Sequence, residues 1–378
     1  MSDGAMTKAL DAVLDEALAA KKIVGGVVMI ARGGERAYAR AFGMADRETG
    51  TPTKPDTIFR FASLTKPLMA VLTLSLIERG VMALTDPVTK FLPDFRPKLA
   101  SGEEPVITIR HLLTHTSGLR YRFFEPAGGA YEVADISDGM DIPGRTFEDN
   151  LQRIAAVPLA FPPGAEWAYS VAYDVLGAAI EKATGKPLPD VMREGVTGPL
   201  GLDDTSFVVQ ARGRLAAAYA DGAPEPVKMG AHHLVPFGPG NLSYAPDRMF
   251  DPASFPSGGG GMSGTAPDFL TFLEAIRRGG APVISKSSVD ALSTDAIGNM
   301  MVLGPGATFS LGWSIVTDPA IGGGPQPKGT WRWGGVYGNS WFVDPSNALS
   351  VVIVTNTAIA GMTGPFPDAV RDAIYLAL

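Results

Sequence analysis

Strand-like segments gather at the two ends of this 378-residue chain, and that split constrains the fold more than any other feature of the sequence. Residues 7–21 have helical composition, and 23–31 and 36–42 then read as two strands joined by the Gly33-Gly34 turn. At the other end, 309–316, 330–333, 340–343 and 349–355 are strand-like with turn residues between them, and 368–378 closes as a helix. The simplest way to bury both sets is one mainly antiparallel sheet built from both ends, with the terminal helices packed on a face. The middle is then an insertion. Residues 86–284 are rich in Pro, Gly and short helical patterns, at 109–113, 146–154, 171–184 and 266–277, and are expected to form a mostly helical domain. The expected division is 1–85 with 285–378 as an α/β domain, 86–284 as the inserted one, and an active site in the cleft between them.

Ser63 and Lys66 stand three residues apart at the head of a long apolar segment. On a helix, positions i and i+3 share a face, so a neutral Lys66 amine can take the Ser63 proton and make a serine nucleophile. Leu68, Met69, Val71, Leu72, Leu74, Leu76 and Ile77 surround the axis of that helix, which predicts its burial, with Gly80 as its stop. Ser63 at such an N-terminus sits where unpaired N–H groups favour developing negative charge. The bland alternative is an N-cap serine beside a solvated lysine, and a Ser-x-x-Lys match alone does not exclude it.

Two further segments supply partners. Tyr169 lies on a turn after 161–164 and Trp167, ahead of the helical pattern at 171–184, and is placed to aim a phenol into a cleft. A phenol titrates near 10, so the Lys66 ammonium is expected to lower it before it acts as a base. Trp333-Gly334-Gly335 ends a strand; its glycines let a substrate approach the backbone, the N–H of Val336 can face an oxyanion, and Trp333 forms an apolar wall.

These three motifs, in this order, resemble the serine β-lactamase and penicillin-binding-protein superfamily, patterned Ser-x-x-Lys, Tyr-x-Asn or Ser-x-Asn, then Lys-Thr-Gly. Residues 110–119, 258–268 and 338–345 are similar to landmarks of its class C branch. The resemblance implies a β-lactamase/transpeptidase-like fold, α/β plus all-α. It also implies Ser63 as acylated nucleophile, Lys66 and Tyr169 as the proton-transfer pair, and the N–H groups of Ser63 and Val336 as oxyanion hole. Val171 stands where a β-lactamase has Asn, and Trp333-Gly334 where it has Lys-Thr. A peptide or β-lactam would lose charge-assisted contacts worth about 1.5–3 kcal/mol each, whereas a neutral ester needs none of them. The same Trp-Gly-Gly looks like the family VIII carboxylesterases, which implies hydrolysis of short-chain esters, with weak β-lactam binding as a side property. Trp333, Gly334, Gly335, Val171 and Tyr121 are the expected substrate-binding residues, Tyr121 lining the acyl or alcohol pocket, and the loop from 220 to 257 is a candidate lid.

Competing signals are weaker. No Gly-x-Ser-x-Gly is present, which lowers a Ser-His-Asp triad. His111 and His115 lie four apart, but no Glu follows His111 and 114–118 reads as a turn; His232-His233 is an adjacent pair suited to a surface loop. Gly259, Gly261 and Gly264 match a dinucleotide pattern without the strand it requires, and Thr265 reads as an N-cap. With no cysteine there is no thiol nucleophile and no Cys-ligated zinc. No metal or cofactor is expected. A formal charge of −7 disfavours nucleic acid and anionic membrane, and no stretch reaches the roughly 18 apolar residues of a span. The start has no basic region leading an apolar one, so the expectation is a soluble, cytoplasmic protein acting on a small-molecule ester. Two alternatives stand beside it. One is another reaction on the same scaffold, by a β-lactamase, D-amino-acid peptidase or acyltransferase; the other is a catalytically silent peptide- or protein-binding scaffold.

Overall fold

The computed structural model describes residues 3–378. Helix α1 (Asp3–Ala19) leads into a hairpin of β1 (Gly25–Arg32) and β2 (Glu35–Asp46), then the short β3 (Thr51–Pro52). Helix α2 (Thr65–Glu78), α3 (Ala172–Thr184) and α4 (Ala266–Arg277) follow, then β4 (Ala307–Phe309), β5 (Ser314–Val316), β6 (Trp331–Gly335), β7 (Asn339–Asp344), β8 (Leu349–Thr355) and α5 (Pro365–Tyr375). The strands make one eight-stranded sheet, ordered β4-β5-β6-β7-β8-β1-β2-β3, antiparallel at every pairing. Its seam is β8 against β1, from Gly26 opposite Thr355 to Arg32 opposite Leu349. The two ends of the chain therefore share one sheet, as their composition requires.

All seven residues of β8 are buried, because helices cover both faces of the sheet. On one face Leu10 and Leu14 of α1 and Val370 and Ile374 of α5 pack on Val28, Ile30, Val351 and Ile353. On the other lies α4, against β8 and β1. Helix α2 is buried continuously from Thr65 to Leu76, which its apolar residues on every side predict. Among the described residues, no helix is long and apolar enough to cross a membrane.

Two expectations differ in detail. The segment 309–316 is two strands, because the Ser310 hydroxyl accepts the N–H of Gly312 and Trp313 at 3.2 Å each and folds the chain into a tight turn. The middle segment is less helical than its composition suggests. It carries a hairpin of His233–Phe237 with Gly240–Tyr244, and Tyr219–Ala220 and Val227–Lys228 pair beside Thr357–Ala358. Alternation of half-buried and exposed residues, easily read as loop, made that hairpin faint in sequence.

The sheet meets α2 through a close backbone approach. A Cβ on Gly335 would lie 2.2 Å from the carbonyl oxygen of Phe61, and Asn339 Nδ2 donates to the carbonyl of Arg60 at 2.8 Å. Only a glycine lets β6 run against the turn that carries Ser63. Gly335→Ala is expected to push the strand from that turn, destabilising the fold by about 1–3 kcal/mol and abolishing most ester turnover. Thermal unfolding and p-nitrophenyl butyrate hydrolysis measure the two effects.

Candidate active site

Ser63 sits in a single 3-10 turn, Ala62–Leu64, directly ahead of α2. Phe59–Arg60 pair with Ser263–Gly264, the N–H of Phe61 donates to the carbonyl of Met262, and Met262 N–H donates to Thr65 Oγ1. These bonds hold Ala62, fully buried, at φ +46°, a left-handed value that an alanine adopts at a cost of about 1–3 kcal/mol. The strain is local to the residue before the serine. The Ser63 side chain caps no helix; its hydroxyl faces Lys66 and Tyr169 instead.

Lys66 Nζ lies 3.1 Å from Ser63 Oγ and donates to the carbonyl of Gly259 at 2.7 Å. Its side chain is buried among the rings of Tyr169, Tyr121 and Tyr173, at 4.5, 5.2 and 5.9 Å, and makes no ion pair among the described residues. Burial therefore lowers the amine to about 7, against a smaller upward pull from Asp174 and Asp138. Near neutral pH a large share of Lys66 is uncharged.

Tyr169 donates its phenol to Ser63 Oγ at 2.7 Å. The expected lowering of that phenol does not occur. Burial raises it well above the ordinary tyrosine range, and the hydrogen bonds with Ser63 and Trp333 only moderate the rise. Loss of water around the phenolate is the largest effect on this phenol, and Asp174 adds to it. Tyr169 keeps its proton, Ser63 Oγ accepts it, and the serine's own proton is left to face the amine. The Tyr169 loop is set by His115, whose ring lies 4.7 Å from that of Tyr169 and whose Nδ1 accepts the N–H of Ser170 at 3.3 Å. His115 is fully buried and held well below the usual imidazole range, first by burial and then by Lys66. His111 closes a capping box with Thr108, and no group of residues suited to a metal ion occurs among the described residues.

The glycine-rich run after Ser257 proves to be a floor beneath the amine. Asp174 Oδ1 accepts from Ser257 Oγ at 2.6 Å and from the N–H of Gly259 at 3.0 Å, and the carbonyl of the same Gly259 accepts from Lys66. A Cβ on Gly259 would meet the Tyr121 hydroxyl at 2.8 Å, so the backbone must be bare there. Asp174, Gly259 and the positioning part of His115 were not foreseen. The signal available for Asp174 was an acid inside the apolar run Val171-Ala-Tyr-Asp-Val-Leu.

A cleft of about 350 Å³ opens over Ser63. Trp333 lines it, with its indole edge-on to Tyr169 at 5.2 Å and its Nε1 donating to the phenol oxygen at 3.4 Å, so it orients Tyr169 as well as walling the cleft. Gly334 and Val336 also line it. Three expected substrate-binding residues do not: Gly335 lies against the Phe61 carbonyl instead, and two side chains turn away. Tyr121 is buried behind Tyr169 and stacked on Phe123, and Val171 is fully buried at the start of α3. Their neighbours explain this: Phe123 and Phe124 turn outward into the wall, joined by Phe237 from the hairpin in the segment expected as a lid.

An antiparallel sheet shared by both chain ends, with a buried serine, lysine and tyrosine against its β6 edge, defines the β-lactamase-type class of folds. The chain belongs to the Beta-lactamase family, whose model matches residues 10–373. It is 49% identical over 370 residues, 97% of this chain and 94% of the other, to "Esterase EstB" of Burkholderia gladioli. The solved structure of "EstCE1, a hydrolase with promiscuous acyltransferase activity" superposes with a TM-score of 0.96 at 42% identity, covering 99% of each chain. A shorter match, 32% identical over 230 residues and covering 56% of this chain and 54% of the other, is to "Monacolin J acid methylbutanoyltransferase" of Aspergillus terreus.

Two outcomes check these assignments. Because the negative charge of Asp174 raises Lys66, Asp174→Asn is expected to move the acidic limb of the kcat/KM profile, set near 7 by the amine, to lower pH. A limb that stays in place removes Asp174 from the electrostatics of Lys66. Tyr169→Phe is expected to lower kcat by at least about a hundredfold, the scale of a positioned acid, in single-turnover and steady-state assays alike.

Proposed function

We propose that the protein is a serine carboxylesterase of the family VIII kind, hydrolysing short-chain esters through an acyl-enzyme on Ser63. The single observation that carries the reading is the buried Lys66 amine, near neutral and 3.1 Å from Ser63 Oγ, with the Tyr169 phenol on the other side of the same oxygen. In acylation Ser63 Oγ bonds to the ester carbonyl carbon as its proton passes to Lys66 Nζ. The carbonyl oxygen becomes an oxyanion facing the N–H groups of Ser63 and Val336. Collapse breaks the bond to the alcohol oxygen, which takes the Tyr169 proton while Lys66 reprotonates the phenol. Water then attacks the acyl carbon as its proton passes to Lys66 Nζ, and collapse breaks the bond between that carbon and Ser63 Oγ, which takes the proton back from Lys66 as the acid leaves, so that Ser63 and Lys66 end as they began.

Apolar groups of a substrate fit the walls formed by Phe123, Phe124, Phe237 and Trp333, and Trp333 stands where a β-lactamase has the Lys that grips the substrate carboxylate. The esterase and hydrolase names of the relatives support the same reaction class. The division into a sheet unit (1–85 with 285–378) and an inserted unit (86–284) belongs to this reading: Ser63, Lys66 and Trp333 come from the first, Tyr169 from the second. A second reading, acyl transfer to an alcohol, draws on the aromatic walls, which favour an organic acceptor over water, and on the transferase names among the relatives.

Hydrolysis of p-nitrophenyl butyrate that is lost in Ser63→Ala, with nitrocefin turned over weakly or not at all, is the expected result. Rapid nitrocefin turnover would overturn the exclusion of β-lactams, and labelling by neither substrate nor a fluorophosphonate would overturn the enzyme itself. Trp333→Ala is expected to alter acyl-chain preference across p-nitrophenyl acetate to octanoate, with kcat also falling because the indole orients Tyr169.

A further inference from the structure

The cleft does not end at its aromatic walls. Residues directly opposed in an antiparallel pair share a face, so Arg332, Gly334, Ser340, Phe342 and Ile353 lie on the face of the sheet opposite Trp331 and Trp333. All five line the same cleft as Ser63, which therefore passes β6 at Gly334, where Met362 packs on the bare backbone, and runs along the outer face beneath Pro367 of α5. Its floor there is apolar, made by Phe342 and Ile353. Its far end is not.

Arg332 stands at that end, half-buried, and makes no ion pair among the described residues. Its Nη1 donates to Gln326 Oε1 at 3.1 Å, and Gln326 is itself buried, so the guanidinium is held in place by a neutral partner. The neighbouring Arg371 is already paired, with Asp368 and Asp372 each 2.8 Å away, and of these acids Asp368 acts on Arg332 only through its field, without pairing with it. Ser340 adds a buried hydroxyl without a hydrogen-bond partner among the described residues, in the same wall. A protein with seven more acidic than basic side chains has thus placed in its substrate cleft an arginine that no carboxylate pairs with among the described residues. A planar guanidinium with free donors matches a carboxylate in two-point geometry.

We infer that Arg332 anchors a carboxylate at the far end of an aliphatic arm of the ester. The substrate class is then an ω-carboxylated ester, such as the monoester of a medium-chain dicarboxylic acid. Four residue steps lead from Arg332 to Val336, just past the end of β6, roughly 13 Å at the usual rise, which sets the length of that arm. The inference rests on the esterase reading for its chemistry, and on the cleft alone for its binding site.

The test compares esters that differ only in the terminal group. On the acyl side these are the p-nitrophenyl monoester of sebacic acid and p-nitrophenyl decanoate; on the alcohol side, the acetate esters of 10-hydroxydecanoic acid and of decanol. In at least one pair the anionic member is expected to be favoured. The ratio of its kcat/KM to that of the neutral member should fall at least tenfold in Arg332→Met, recover in part in Arg332→Lys, and shrink with added salt. Ratios unmoved by Arg332→Met on both sides would overturn the inference. Calorimetric binding of monomethyl sebacate to Ser63→Ala, with and without Arg332→Met, separates the two readings. Arg332-dependent binding without ester turnover in the parent enzyme would defeat the esterase and leave the anion site standing, and turnover with binding indifferent to Arg332 would do the reverse.

Discussion

The site depends on keeping one amine dry. Lys66 is an ordinary lysine by composition, but α2 is packed on every side and three tyrosine rings close over its tip, so the charged form loses water without gaining a carboxylate. The nearest acids are held back: Asp174 spends its hydrogen bonds on Ser257 and Gly259, and Asp138 is itself raised to about 8 by burial and by Asp141. A direct ion pair would have fixed Lys66 as a cation and left Ser63 without a base. A lysine with no acid in view would fall lower still and become a weaker base. The arrangement lies between these limits, with Gly259 as the spacer that passes Asp174's position, but not its full charge, to the amine.

This electrostatic balance has a steric counterpart. The turn bearing Ser63 is held at Ala62 in a conformation that its own sequence does not favour, by bonds from Met262 and Asn339 and by the bare backbone of Gly335. None of these groups touches the reacting atoms. Their part is to fix the serine relative to the strand whose continuation, Val336, completes the proposed oxyanion hole. Trp333 on that strand reaches the Tyr169 phenol, so one strand bears on both the serine and its acid.

What could be read in the sequence follows from how local each signal is. The buried helix after Ser63, the capping threonine at 265, and β8 are written in short runs, and all were legible. The shared sheet was legible because each end alone leaves an unmatched set of strands. The Ser63, Lys66 and Tyr169 grouping was legible from spacing together with resemblance, and the structure brings the three side chains together. Tyr121 and Val171 were misplaced as walls because which way a side chain turns at the start of a helix or beside an aromatic cluster depends on neighbours distant in sequence. The direction of the Tyr169 shift differs from expectation for a related reason: adjacency in the motif suggested the field of an ammonium, whereas burial of the phenol itself, a property of the whole fold, sets the direction. The same limit hid Asp174 and Arg332, whose meaning lies in what surrounds them.

The seam between β8 and β1 has a consequence for when activity can arise. Ser63, Lys66 and Tyr169 are all made in the first half of the chain, yet the strands that brace the nucleophile, orient the phenol and supply Val336 lie beyond residue 330. A ribosome therefore carries the complete set of reactive side chains through most of synthesis in an unarmed state. The last strands, on sliding in beside the first, join the two halves of the sheet and brace the serine in the same event, so that catalytic competence waits on closure of the sheet.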